Sequence, residues 1–116
     1  MDPKNFLFIL SDQHHRRFSG IYGHPCVETP NLDALAARGT RFENAYTNCP
    51  ICVPSRASLA TGRYVHDINF WDNGHPYNGS VPSWHACLRE LEVLCESIGK
   101  LHFKGLGVDH GFCNEI

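Results

Sequence analysis

The sequence predicts an α/β fold, with a mostly parallel sheet flanked by helices. Three observations carry this expectation. The run Asn5-Phe6-Leu7-Phe8-Ile9-Leu10 is continuously apolar after its first residue, the pattern of a strand buried on both faces. Strand-like and helix-like segments then alternate along the chain. Only about three strands fit in so short a sequence, so they read as the start of a larger sheet.

The elements follow in order. The first strand ends at Ser11-Asp12-Gln13, placing polar groups where open α/β sheets bind their ligands. Thr29-Pro30-Asn31 precedes Leu32, Leu35 and Ala36, a helical spacing that stops at Gly39. Arg41 to Tyr46 alternates like a short strand. Ser55 to Leu59 opens a helix. Thr61 to Pro82 is rich in Gly, Asn, His and Pro and reads as a long loop. Ser83 to Leu91 reads as a helix with Ser83 as its N-cap. A short strand runs up to Ile98 and precedes Gly99-Lys100-Leu101-His102. Beyond His102 no regular pattern is visible.

The chain has 116 residues, the size of one small domain, and a formal charge of −2. With no basic stripe, nucleic acid is not an expected partner. The five apolar residues near the N-terminus are too few for a membrane span and have the wrong flanks for a secretory signal. The expectation is a cytoplasmic protein, no membrane partner, and six reduced cysteines. Cys49 and Cys52 have the spacing of one zinc knuckle, but Cys87, Cys95 and Cys113 form no second one. A redox role for that pair would leave Pro54 and Arg56 without a task.

Residues 49–63 carry more. Cys52-Val53-Pro54-Ser55-Arg56 is followed by Leu59-Ala60-Thr61-Gly62-Arg63. Upstream stand Ile9-Leu10-Ser11-Asp12-Gln13 and Thr29-Pro30-Asn31-Leu32-Asp33-Ala34-Leu35-Ala36; downstream stands Gly99-Lys100-Leu101-His102-Phe103. On these blocks the chain resembles the type I sulfatases of the alkaline phosphatase superfamily. Asp12-Gln13 is similar to the branch of choline sulfatases and phosphonate monoester hydrolases. Lys100, His102 and His110-Gly111-Phe112 resemble the choline-sulfatase side.

The resemblance implies an alkaline-phosphatase-like sheet, of which residues 1–116 would be an incomplete N-terminal segment of the catalytic domain. It implies a sulfuric ester hydrolase. A formylglycine-generating enzyme would oxidise Cys52 to formylglycine, whose hydrated aldehyde is the nucleophile. Asp12 and position 52 would bind a divalent metal, calcium or alternatively manganese or magnesium. Arg56, Lys100 and His102 would be catalytic, and Gln13, Asn73, Lys100 and His102 would meet a small sulfate ester. The remaining metal ligands would lie beyond Ile116, so the chain alone is expected to be inactive, with an exposed sheet edge favouring self-association.

The chemistry needs these residue types. A sulfate monoester has a hindered, anionic centre, so a nucleophile must be generated and the charge neutralised, which a divalent metal does. Asp12 is a hard oxygen donor, although by position alone it could be a loop acid or a helix cap. Cys52 could be a small buried hydrophobe. Arg56 follows Cys52 by one helical turn, within reach of the nucleophile. Lys100 and His102, two apart on an extended segment, would share a face. Asn73-Gly74 alone would be a turn. Trp71 and His75 could shape the pocket, and the other histidines receive no role.

Two residues depart from the family pattern. Val53 is bulkier than usual, and Glu96 stands where a buried apolar residue is expected. A buried unpaired carboxylate would be costly, so either Glu96 is exposed or its strand has lost its packing. Phosphonate or phosphodiester hydrolysis, a non-catalytic remnant and a small zinc domain are the alternatives.

Overall fold

A computed structural model describes residues 5–105 and 107–116. The chain divides into two compact units, Met1–Ala45 and Tyr46–Ile116.

In the first unit, α1 spans Pro30–Ala37, as the spacing after Thr29 predicts. Pro30 takes the first helical position, where its missing N–H costs nothing. Thr29 does not cap the helix through its side chain. Its hydroxyl accepts from Gly20 N–H at 2.9 Å and donates to Asp33 Oδ1 at 2.9 Å. A Cβ at Gly20 would come within 2.8 Å of Asp33 Oδ2, so a larger residue would push that carboxylate aside.

Neither strand expected in this unit forms. Residues 5–10 have no regular structure, and Phe6 and Leu7 are 84% and 82% exposed. A strand is stabilised only by a ladder with a neighbour, and no described strand pairs with this run. The segment from Arg41 to Tyr46 is also irregular. Its groups are engaged with earlier residues instead. Tyr22 donates its hydroxyl to Phe42 O at 2.8 Å, Arg41 donates to Ile21 O at 2.8 Å, and Arg16 donates to Glu43 O. Both guanidinium groups lie over the Tyr22 ring.

The second unit holds α2 (Cys52–Thr61), α3 (Val65–Ile68), α4 (Trp84–Glu90), β1 (Glu96–Ser97) and β2 (Asn114–Glu115). Helix α2 begins at Cys52, three residues before the predicted start. Pro54 is tolerated because it lies in the first turn, where no intrahelical N–H bond is lost. The helix buries Val53, Ala57 and Ala60 along one stripe and ends at Gly62, whose left-handed φ of 68° lets its N–H bond Ser58 O at 2.8 Å. Helix α3 falls inside the segment read as loop; four residues are too few for a hydrophobic period to show. Helix α4 forms where predicted, and Ser83 Oγ accepts from Ala86 N–H at 3.2 Å.

The core is Ala57, Ile68, Phe70 and Tyr77, with Val81 and Phe103 packed against it. Tyr77 meets Phe70 and Phe103 edge-on at 5.7 and 4.8 Å and donates its hydroxyl to Val81 O at 2.6 Å.

β1 and β2 pair in parallel, Glu96 opposite Asn114, forming a small two-stranded sheet. The parallel sense agrees with the predicted class, and helices accompany it. β1 stands one residue short of the predicted Ile98, and β2 lies in the stretch where no pattern was visible. Glu96 is exposed and accepts from Asn114 Nδ2 at 2.5 Å, so the carboxylate is neither buried nor unpaired. No helix among the described residues is long and apolar enough to cross a membrane.

Candidate functional site

Cys52 is the first residue of α2 and is half-buried. The preceding residue, Ile51, has no side chain that can cap the helix. Asn73 does so from the following loop: its Oδ1 accepts from Val53 N–H at 3.1 Å. One of the orphan donors beside Cys52 is thereby satisfied by a residue 20 positions away. Asn73 itself is exposed, so it is more than the plain turn its sequence suggests.

One turn beyond Cys52, Arg56 is 9% exposed, and its guanidinium donates to Lys100 O. This contact spans 44 positions and ties α2 to the segment carrying Lys100 and His102. The structure therefore gathers Cys52, Arg56, Asn73 and the Lys100–His102 segment within the second unit. Asp12 and Gln13, both exposed, belong to the first unit.

The Lys100–His102 segment is not the extended strand expected. Gly99 has φ 96° and His102 φ 58°, both left-handed. Alternation of faces therefore does not govern where Lys100 and His102 point. A left-handed φ at a non-glycine residue is uncommon and concentrates at functional sites; Gln13, at φ 59°, shares it. His102 is half-buried, and its Nδ1 is buried without a hydrogen bond among the described residues. Such an atom costs about 1–3 kcal/mol unless another group reaches it.

Other histidines are engaged locally. His14 Nε2 meets Ser19 Oγ at 2.7 Å, and His24 Nδ1 accepts from Cys26 and Val27 N–H. His75 Nδ1 lies 2.8 Å from Asp72 Oδ1, and this bond pulls the Asp72 carboxyl below the usual range. His75 and Trp71 are both exposed. His85, 1% exposed and stacked on Phe112 at 3.9 Å, has its pKa lowered by burial to about 4. His110 is buried between Lys104 O and the Glu115 carboxylate. Neither His85 nor His110 was marked by spacing; their partners lie on other elements, so no local pattern reveals them.

All six cysteines are free thiols. Among the described residues no three His, Cys, Asp or Glu side chains stand together so as to hold a metal ion. The described donors thus do not by themselves complete either a zinc or a calcium site. Arg89 and Asp109 form a bidentate pair at 2.8 and 2.7 Å. That pair, with Gly111 N–H, lowers Asp109 to about 2.

The family model Sulfatase matches residues 4–92. The N-acetylglucosamine-6-O-sulfatase of Bacteroides thetaiotaomicron is 33% identical, over 91% of this chain and 19% of that protein. The choline-sulfatase of Rhizobium meliloti is 36% identical, over 93% of this chain and 21% of its own length. The human N-acetylgalactosamine-6-sulfatase is 44% identical, over 86% of this chain and 22% of its own. The chain thus spans about a fifth of the length of these relatives. The matched region takes in both Asp12-Gln13 and the whole of α2. On that match the chain belongs to the sulfatase family.

Proposed function

We propose that this chain supplies the nucleophile segment of a sulfuric ester hydrolase with an alkaline-phosphatase-like fold. In this proposal residues 1–116 belong to the N-terminal part of a sulfatase catalytic domain. Cys52 is converted to formylglycine by a formylglycine-generating enzyme, and a small sulfate ester is the substrate. The relatives named for sulfates on choline and on amino sugars support that substrate class.

The observation that carries the proposal is the setting of Cys52. It opens a ten-residue helix, is partly accessible, and is followed one turn later by a buried arginine tied to Lys100 O. At that position the helix dipole favours developing negative charge. Hydrated formylglycine would supply the attacking hydroxyl at this place. Arg56, held by the Lys100 carbonyl, keeps a fixed positive charge one turn from it. Lys100 offers an ammonium to a sulfuryl oxygen. His102, whose Nδ1 has no hydrogen bond among the described residues, is suited to pass a proton to the leaving oxygen. Gln13 and Asn73 would contact the sulfate.

Calcium, or alternatively manganese or magnesium, would neutralise substrate charge. Asp12 is a suitable hard donor, and further oxygen ligands are needed to fill the usual shell of about six to eight. Position 52, as formylglycine, would be a second donor, and among the described residues no three His, Cys, Asp or Glu side chains stand together to supply the rest.

Co-expression with a formylglycine-generating enzyme, followed by peptide mass spectrometry, tests the proposal. An aldehyde at position 52, and none at Cys49, is expected. A peptide that stays a thiol throughout would overturn it. Cys49→Ala is expected to leave conversion intact. The isolated chain is expected to turn over no aryl sulfate even after conversion and with metal added. Turnover that vanishes in Asp12→Ala would show that the chain completes the site. Within the same superfamily, Asp12-Gln13 also suits phosphonate or phosphodiester hydrolysis; a panel of sulfate and phosphate esters on an active form separates the two.

A further inference from the structure

The segment carrying Lys100 and His102 has no regular structure to hold it, yet both residues need fixed positions if the proposed function is right. Contacts from other elements hold its backbone. Arg56 donates to Lys100 O, Lys104 N–H donates to Tyr77 O at 2.7 Å, and His110 Nε2 lies 2.7 Å from Lys104 O. His110 also reaches the other way, its Nδ1 standing 3.0 and 3.2 Å from the two Glu115 carboxylate oxygens on β2. A carbonyl and a carboxylate both accept. Both contacts are therefore made at once only by a ring that carries a proton on each nitrogen.

His110 is itself anchored. It is 8% exposed, and its carbonyl accepts from Ser83 Oγ at 3.4 Å. Gly111 packs so closely on Ala86 of α4 that a Cβ would come within 2.6 Å. On its other side, Asp109 is held by Arg89 of α4. Phe103, next to His102, meets the His110 ring edge-on at 5.3 Å.

We propose that His110 is a positioning residue for the Lys100–His102 segment. Anchored on α4 and bonded to Glu115 of β2, it donates to Lys104 O and so fixes the backbone two residues beyond His102. The proposal rests on the catalytic roles given to Lys100 and His102 above. The charged and titratable groups that interact with the ring are Glu115 from β2, His85 from α4 and the neighbouring Asp109.

The test is nuclear magnetic resonance of the 116-residue chain, reading amide protection and histidine ring signals. His110→Phe keeps the ring packing and removes both donors. Protection of the Lys104 amide is expected to fall about fivefold to tenfold, and the His102 signals to shift and broaden. Protection of the Cys113 amide, bonded to Cys95 O, should be unchanged. His110→Gln, which still donates, should fall between parent and His110→Phe. Should His110→Phe not fold, Glu115→Gln keeps the ring and weakens one contact, and a smaller loss at Lys104 is expected. Unchanged Lys104 protection and His102 signals in the folded variants would overturn the proposal. None of these readouts depends on oxidation of Cys52, so the positioning role and the sulfatase proposal fail separately.

Discussion

The two units bury their apolar residues very differently. Every described apolar residue that is buried lies between Val53 and Tyr77, in the second unit. In the first, Ser19 is the described buried residue, while Phe6 to Leu10 and Leu32 and Leu35 of α1 face solvent. Apolar content is not what separates them; residues 6–10 are all apolar. The difference is in how each segment satisfies its backbone. Helices α2 and α3 bond their own amides and then need only a neighbouring face, which Ile68, Phe70 and Tyr77 provide within a few turns of chain. A strand cannot bury its side chains until another strand satisfies its N–H and C=O groups.

This contrast is broken most directly at Tyr77. Tyr77→Ala removes a ring 1% exposed and touching both Phe70 and Phe103. A loss of about 3–5 kcal/mol is expected, read by urea denaturation and by collapse of the near-ultraviolet circular dichroism. Leu7→Ala should change stability by less than about 0.5 kcal/mol. Equal effects would mean that the first unit holds a core after all. Tyr77→Phe should lose only the bond to Val81 O, about 1 kcal/mol.

The second test uses pH. Burial lowers the His85 pKa from 6.5 to about 4. The folded state therefore binds the proton less readily than the unfolded chain. The stabilisation is fully present above pH 6.5 and is lost as pH falls toward 4. The full difference corresponds to about 3 kcal/mol at 1.36 kcal/mol per unit. Urea midpoints between pH 7 and 4 should fall, and the fall should be shallower in His85→Phe, which keeps the stack on Phe112. Identical slopes in the two proteins would remove His85 as the cause.

The sequence makes the self-contained signals readable. The Ser83 cap and the Thr29-Pro30 helix start each depend on residues a few positions apart and stand where expected, while the helix read from Ser55 begins three residues earlier, at Cys52. What required long-range partners did not read. Residues 5–10 have the composition of a strand without a described neighbour. Arg41 to Tyr46 alternates, but Tyr22 and Arg16 take its carbonyls. Helix α3 is too short to show a period, and β2 is two residues defined only by β1. At the site, Cys52 and Arg56 share helix α2, one turn apart. Lys100 and His102 were assigned a common face, which the left-handed His102 backbone removes. Asn73 as the cap of α2 depends on a contact across 20 positions.

A smaller effect is expected from the exposed run at residues 6–10. Five consecutive exposed apolar side chains, in no strand among the described residues, are an adhesive segment. Light scattering of the isolated chain should show association that grows with concentration. Leu7→Lys combined with Ile9→Lys should reduce it without lowering the urea midpoint of the second unit. Association unaffected by both lysines would place the contact elsewhere.

The smallest effect is expected at Arg89 and Asp109. Their bidentate geometry is good, and it lowers Asp109 to about 2 while raising Arg89. A depressed carboxylate stabilises the fold above its unfolded value of 3.8 and loses that contribution as pH falls through about 2. Both side chains, however, are solvent-exposed, at 38% and 66%. Water and salt screen such pairs, and holding two long side chains costs entropy. Arg89→Ala should therefore lower stability slightly in low salt and less in high salt. Asp109→Ala should cost more than Arg89→Ala, because Asp109 Oδ1 also accepts from Gly111 N–H at 2.8 Å, at the turn where Gly111 meets Ala86. If the two substitutions proved equal and independent of salt, the pair would be acting through packing on α4 and not through its charge.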